Sequence, residues 1–118
     1  MKLLYIIAPY SALTHIKVQN NIHEAQILAQ YYWLKGNAVI CPHLNTAFFS
    51  GLIDESDFYS GTLLMLSKCD QSVVHPRFKH SQGCIKEIKF CEKHNIPIEY
   101  IDGFQLHMIK NELKQALI

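Results

Sequence analysis

The chain has 118 residues, 49% hydrophobic and 18% charged, the proportions of a folded globular protein and not of a disordered or coiled-coil one. Eleven Lys and Arg stand against ten Asp and Glu, a formal charge of +1 with no long block of either sign, so a nucleic-acid polymer is excluded as the main partner. Apolar runs fall far short of the ~20 residues that cross a bilayer, and the apolar start Met1-Lys2-Leu3-Leu4 ends at Pro9-Tyr10-Ser11 without a small-residue cleavage site, so no membrane partner and a cytoplasmic location are expected.

Residues 2 to 8, Lys-Leu-Leu-Tyr-Ile-Ile-Ala, form a short apolar run stopped by Pro9, which predicts a strand buried on both faces. From Val18 the apolar positions Ile22, Ala25, Ala29 and Tyr32 recur at helical spacing, and Gly36 closes the pattern as a helix C-cap. Ala38-Val39-Ile40-Cys41 reads as a second buried strand ended by Pro42, with a polar, Gly-containing loop to about Asp57. A helix is expected over Phe58 to Lys68, a strand over Gln71 to His75, and a helix over Ser81 to His94 with Cys84, Ile88 and Cys91 facing inward. The fourth strand spans Ile96 to Ile101, with Pro97 at its start or on an edge. Leu106, Ile109, Leu113 and Ala116 mark the last helix.

This alternation predicts one α/β domain over residues 1–118, three layers deep and Rossmann-like or flavodoxin-like. Its parallel sheet of four to five strands should have right-handed crossovers and helices on both faces. Ligands bind such sheets at the carboxyl ends of the strands, which singles out the loops after Ala8, Cys41 and His75. Cys41, Cys69, Cys84 and Cys91 contain no C-x-x-C pair and the histidines are scattered singly, so the cysteines read as core side chains and no metal site is expected.

The third loop carries chemistry by its spacing alone. Ser81 is a good N-cap, and Gly83 lets a ligand approach the unpaired amides of the first helical turn, where a nucleotide 5′-phosphate would fit. Glu87, four residues after Gly83, lies about one turn further on the same face. The alternative is that Ser81 merely caps the helix and Glu87 is a solvated surface residue.

Three segments occur in order: Tyr5-Ile6-Ile7-Ala8-Pro9-Tyr10-Ser11, Cys41-Pro42-His43-Leu44-Asn45-Thr46 and His80-Ser81-Gln82-Gly83-Cys84-Ile85-Lys86-Glu87. Together they resemble the nucleoside 2-deoxyribosyltransferase superfamily, including its deoxynucleoside monophosphate N-glycosidases and small members of phage type. The resemblance runs from Tyr5 to about Pro97 and rests on Tyr5 with Ala8-Pro9-Tyr10, on Pro-His-Leu-Asn-Thr at 42 to 46, and on Ser-x-Gly-x-x-x-Glu at Ser81, Gly83 and Glu87. It implies a Glu87 nucleophile that attacks the anomeric carbon of a nucleoside or nucleotide, as in a retaining glycosidase. It also implies that Tyr5, Ala8, Pro9, Tyr10, His43, Asn45, Thr62, Ser81 and Gly83 contact the substrate, with no cofactor, in a homodimer. For Tyr5 the alternative is strand packing in the core, and for His43 a loop-capping role.

The sequence departs from that pattern at one position of chemical weight. Family members usually carry an Asp eight residues before the one matched by Asp70, where this chain has Thr62, and threonine cannot do the proton chemistry of a leaving-group acid. Asp54, Glu55 or Asp57 are the nearby substitutes. Ala8 in place of a frequent Gly, and Arg77-Phe78 in place of a frequent Gly-Trp pair, are milder changes. A catalytically silent protein that sequesters or senses a nucleotide-derived molecule is the rival expectation, and an interaction module without a small ligand is the third.

Overall fold

Leu3–Ile7 forms the central strand β1, and its unbroken apolar run follows from its position: both neighbours are strands and both faces are covered. A computed structural model of the chain describes residues 1–47, 49 and 51–116. After β1 come α1 (His15–Leu34), β2 (Ala38–Ile40), α2 (Pro42–Asn45), α3 (Glu55–Ser67) and β3 (Gln71–Val74). A 3-10 turn at Phe78–His80 then leads to α4 (Gln82–Lys93), β4 (Ile98–Tyr100) and α5 (Gly103–Ala116).

The sheet has four parallel strands in the order β2-β1-β3-β4, the lower of the two expected numbers. Side chains of β1 alternate between two layers. Leu4, Ile6 and Ala8 pack with Ala25, Leu28, Ala29 and Tyr32 of α1 and with Leu106 and Ile109 of α5. Tyr5 and Ile7 pack on the opposite face with Leu66 of α3 and with Cys84, Ile88 and Cys91 of α4. The winding direction reverses between β1 and β3, so their carboxyl ends open the crevice in which such sheets hold ligands.

Several boundaries differ from the expectations, for identifiable reasons. Helix α1 starts at His15 because the Thr14 hydroxyl caps it, accepting from the Lys17 amide at 3.2 Å. Beyond its C-cap, Gly36 takes φ +92, which a side chain would strain. Strand β2 pairs with β1 alone and is half-buried throughout, an edge strand and not the buried one expected. The segment after Cys41 is not loop throughout: Pro42 opens a single helical turn, as its fixed φ favours. Helix α3 begins at Glu55 behind Asp54, three residues before Phe58. Pro97 immediately precedes the edge strand β4, and its carbonyl accepts from the Ser72 amide at 2.9 Å. Leu106, Ile109, Leu113 and Ala116 all fall in α5, with Leu106 and Ile109 buried and Ala116 exposed at its end. No described helix is long and apolar enough to cross a membrane.

Candidate functional site

The alternation of β1 sends Tyr5 into the layer shared with α3 and α4, where its side chain is fully buried. Glu87 enters that layer from α4, six residues past the Ser81 cap, which is about 9 Å along the axis at ~1.5 Å per residue. The Tyr5 hydroxyl donates to Glu87 Oε2. Burial, the neighbouring carboxylate and the hydrogen bond to it all hold the phenol far above its ordinary pKa, so Tyr5 stays a donor. Burial also raises the Glu87 carboxyl from 4.5 to about 7, while the Tyr5 hydrogen bond works in the opposite direction.

Thr62 of α3 brings a hydroxyl to the Tyr5 phenol and donates to the Tyr59 carbonyl at 3.0 Å. Tyr5, Thr62 and Glu87 thus converge from three elements. Asp54, Glu55 and Asp57 do not join them: all three are exposed at the amino end of α3. Asp57 lies five residues before Thr62, about 7 Å along the helix at ~1.5 Å per residue.

A second group of the expected residues holds the loop after β1. His43 is buried, and its Nε2 donates to the Pro9 carbonyl at 2.9 Å. Its ring meets Tyr10 edge-on at 5.3 Å between centroids. Burial depresses the His43 pKa, which favours the neutral imidazole. The Tyr10 carbonyl accepts from buried Asn21 of α1 at 3.1 Å, so Ala8-Pro9-Tyr10 is fastened from both sides. Asn45 is exposed and turned to Met65 Sδ at 3.9 Å.

Ser81 caps α4, accepting from the Cys84 amide at 3.2 Å. A methyl group at exposed Gly83 would meet nothing nearer than the Ser81 hydroxyl at 4.0 Å, so the space beside this residue is unoccupied by the chain. That turn carries no acidic residue.

The sequence reading missed a cleft of about 870 Å³ on the α1 side of the same sheet edge. Pro9 and Ser81 border it; Lys17 and Asn21 of α1 face Arg77 and Lys79 of the β3–α4 connection across it. Tyr5, Thr62 and Glu87 do not line it. The Arg77 guanidinium donates to Asn21 Oδ1 at 3.1 Å. Behind the cleft, His75 is 1% exposed and accepts on Nδ1 from the Arg77 amide at 3.0 Å, which puts its proton on Nε2. That atom is 3.4 Å from Glu24 Oε1 but makes no well-formed hydrogen bond, while Glu24 Oε2 pairs with Lys110 at 2.8 Å. The available signal was Asn21, a polar residue on the otherwise apolar face of its helix.

Residues 2–101 match the family described as "Domain of unknown function (DUF7768)". No curated protein matches the chain. Among solved structures, a 2-deoxyribosyltransferase from the psychrotolerant bacterium Bacillus psychrosaccharolyticus is similar, with a TM-score of 0.58 and 13% identity over 83% of this chain and 70% of that one. At that identity the similarity is one of fold.

Proposed function

The chain belongs to the DUF7768 family, and we propose that it cleaves or transfers at the N-glycosidic bond of a nucleoside or nucleoside 5′-monophosphate, with Glu87 as nucleophile. The observation that carries this reading is the hydrogen-bonded pair of Glu87 and Tyr5, set six residues past the Ser81 cap of a helix whose first turn is free of acidic residues. A 5′-phosphate on the amides near Ser81 and Gly83 would bring the sugar toward Glu87. The solved structure of similar fold, a 2-deoxyribosyltransferase, is consistent with it.

In the proposed reaction a Glu87 carboxylate oxygen bonds to the anomeric carbon as the bond from that carbon to the base nitrogen breaks. The electron pair leaves with the base, which takes a proton from water. Water, or a second base in transfer, then attacks the same carbon and frees the carboxylate. The Tyr5 hydroxyl orients Glu87 and favours its ionised form.

Since only the ionised carboxylate attacks, base release is expected to rise with pH through about 7, the value to which burial moves Glu87. Incubation with a panel of nucleosides and their 5′-monophosphates from pH 6 to 9, followed by chromatography, tests this. Free base appearing with that profile is the expected result. Every ligand recovered intact would overturn it.

Thr62 favours a second reading, a silent binder. General acid-base assistance is typically worth about 10² to 10⁴ in rate, and no carboxylate replaces Thr62 beside Tyr5 among the described residues. Calorimetric binding of a nucleotide that is recovered unchanged would support that reading.

A further inference from the structure

We propose that the cleft between α1 and the β3–α4 connection binds the phosphates of a ligand carrying at least two of them, such as a nucleoside diphosphate or a nucleotide extended through a pyrophosphate. This deepens the glycosidic reading by naming its substrate class, and rests on it only for the nucleoside end of the ligand. Three observations carry it: the size of the cleft, its charge and the ends of the helices that meet there.

The volume of about 870 Å³ falls within the roughly 300–1,000 Å³ of small-molecule sites. Lys17, Arg77 and Lys79 line it, and the described ion pairs use none of the three. Its carboxylate, Glu24, is already matched by Lys110 at 2.8 Å. Three permanent positive charges therefore gather in one cleft of a chain whose formal charge is +1. A phosphate monoester brings about −1.5 to −2, and a second phosphate raises this to about −3, the charge that matches three cations.

The helix ends point the same way. An acidic residue in a first turn is the favourable complement to the helix dipole, and α3, whose first turn lies outside the cleft, has Glu55 and Asp57 there. Helices α1 and α4, whose amino ends border the cleft, have none, and α1 has Lys17 in that turn. Cations held against the dipole suit an anion between the two ends.

Isothermal titration calorimetry at fixed ionic strength provides the test, with orthophosphate, pyrophosphate, AMP and ADP as probes; pyrophosphate makes it independent of the base. Pyrophosphate should bind at least tenfold tighter than orthophosphate. ADP should bind at least tenfold tighter than AMP, or show binding where AMP shows none. The double substitution Lys17→Gln with Lys79→Gln, at two exposed positions, should cost pyrophosphate at least tenfold with the melting temperature unchanged. Equal affinity for ortho- and pyrophosphate, no binding of either, or an unaffected double variant would overturn the proposal. Glu87→Gln should leave pyrophosphate binding intact. Pyrophosphate binding without base release would therefore sink the glycosidic reading alone, and base release without a pyrophosphate preference would sink this one alone.

Discussion

Replacing Glu87 by Gln is expected to abolish base release and at the same time to stabilise the fold at alkaline pH. Glutamine keeps an acceptor for the Tyr5 hydroxyl but is no nucleophile, so a loss of at least about 10³ in rate is expected. The gain in stability follows from proton linkage. In the folded chain Glu87 titrates at about 7, against 4.5 for an ordinary glutamate. Between those values the unfolded chain is ionised while the folded one keeps its proton, so the folded state binds more protons and loses stability as pH rises. The stabilisation is full below about 4.5 and gone once pH has passed through about 7.

At about 1.4 kcal/mol per pH unit the full effect approaches ~3.5 kcal/mol. Thermal melts of wild type and Glu87→Gln at pH 5 and pH 9 measure it. The difference in Tm should move in favour of the variant by roughly 5 °C or more between the two conditions. Buried His43 and His75 have depressed pKa values and lose stability on the acid side, but they do so in both proteins and cancel in the difference. Parallel pH curves for the two proteins would show that Glu87 is not held protonated by burial.

Replacing Tyr5 by Phe tests the other half of the pair. Phenylalanine refills the buried volume but removes the hydroxyl that donates to Glu87 and lowers its pKa. The carboxylate then keeps the burial penalty without that donor, and its pKa should climb further above about 7. Base release by Tyr5→Phe should fall about fivefold at pH 7 and recover toward the wild-type rate at pH 9, with the midpoint of the pH profile displaced upward by about one unit. Stability at pH 8 should fall by about 1–3 kcal/mol, the cost of an unsatisfied buried polar group. A rate reduced by the same factor at every pH would mean that Tyr5 acts by packing alone.

How far the chain could be read in advance depended on whether a feature is local. Strand β1 was legible because a strand covered on both faces must be apolar throughout, and Ser81 and Gly36 because caps are set by a few neighbouring residues. The half-buried state of β2 was not legible, since edge or centre is decided by strands elsewhere in the chain. The turn at Pro42–Asn45 is too short to have a period.

The site divides in the same way. Ser81, Gly83 and Glu87 share one helix, and their spacing marked them. The contact between Tyr5 and Glu87 spans 82 positions, which no pattern along the chain reveals. The cleft is the extreme case: Lys17 and Asn21 come from one element, Arg77 and Lys79 from another, and each alone resembles an ordinary polar residue. Arg77 departs from the pattern of the resemblance in sequence, but its pairing with Asn21 depends on the packing of α1 on the sheet edge.

The most direct test of Glu87 as nucleophile is the intact mass of the protein after incubation with a nucleoside whose sugar carries fluorine at the 2 position. An electron-withdrawing fluorine disfavours the oxocarbenium-like transition states, and a glycosyl ester on the enzyme then outlives its formation when a good leaving base is used. The expected result is a mass increase of one fluorinated sugar, mapped by peptide sequencing to Glu87 and absent from Glu87→Gln. An unmodified protein with the nucleoside recovered intact, or an adduct on any other residue, would contradict the assignment.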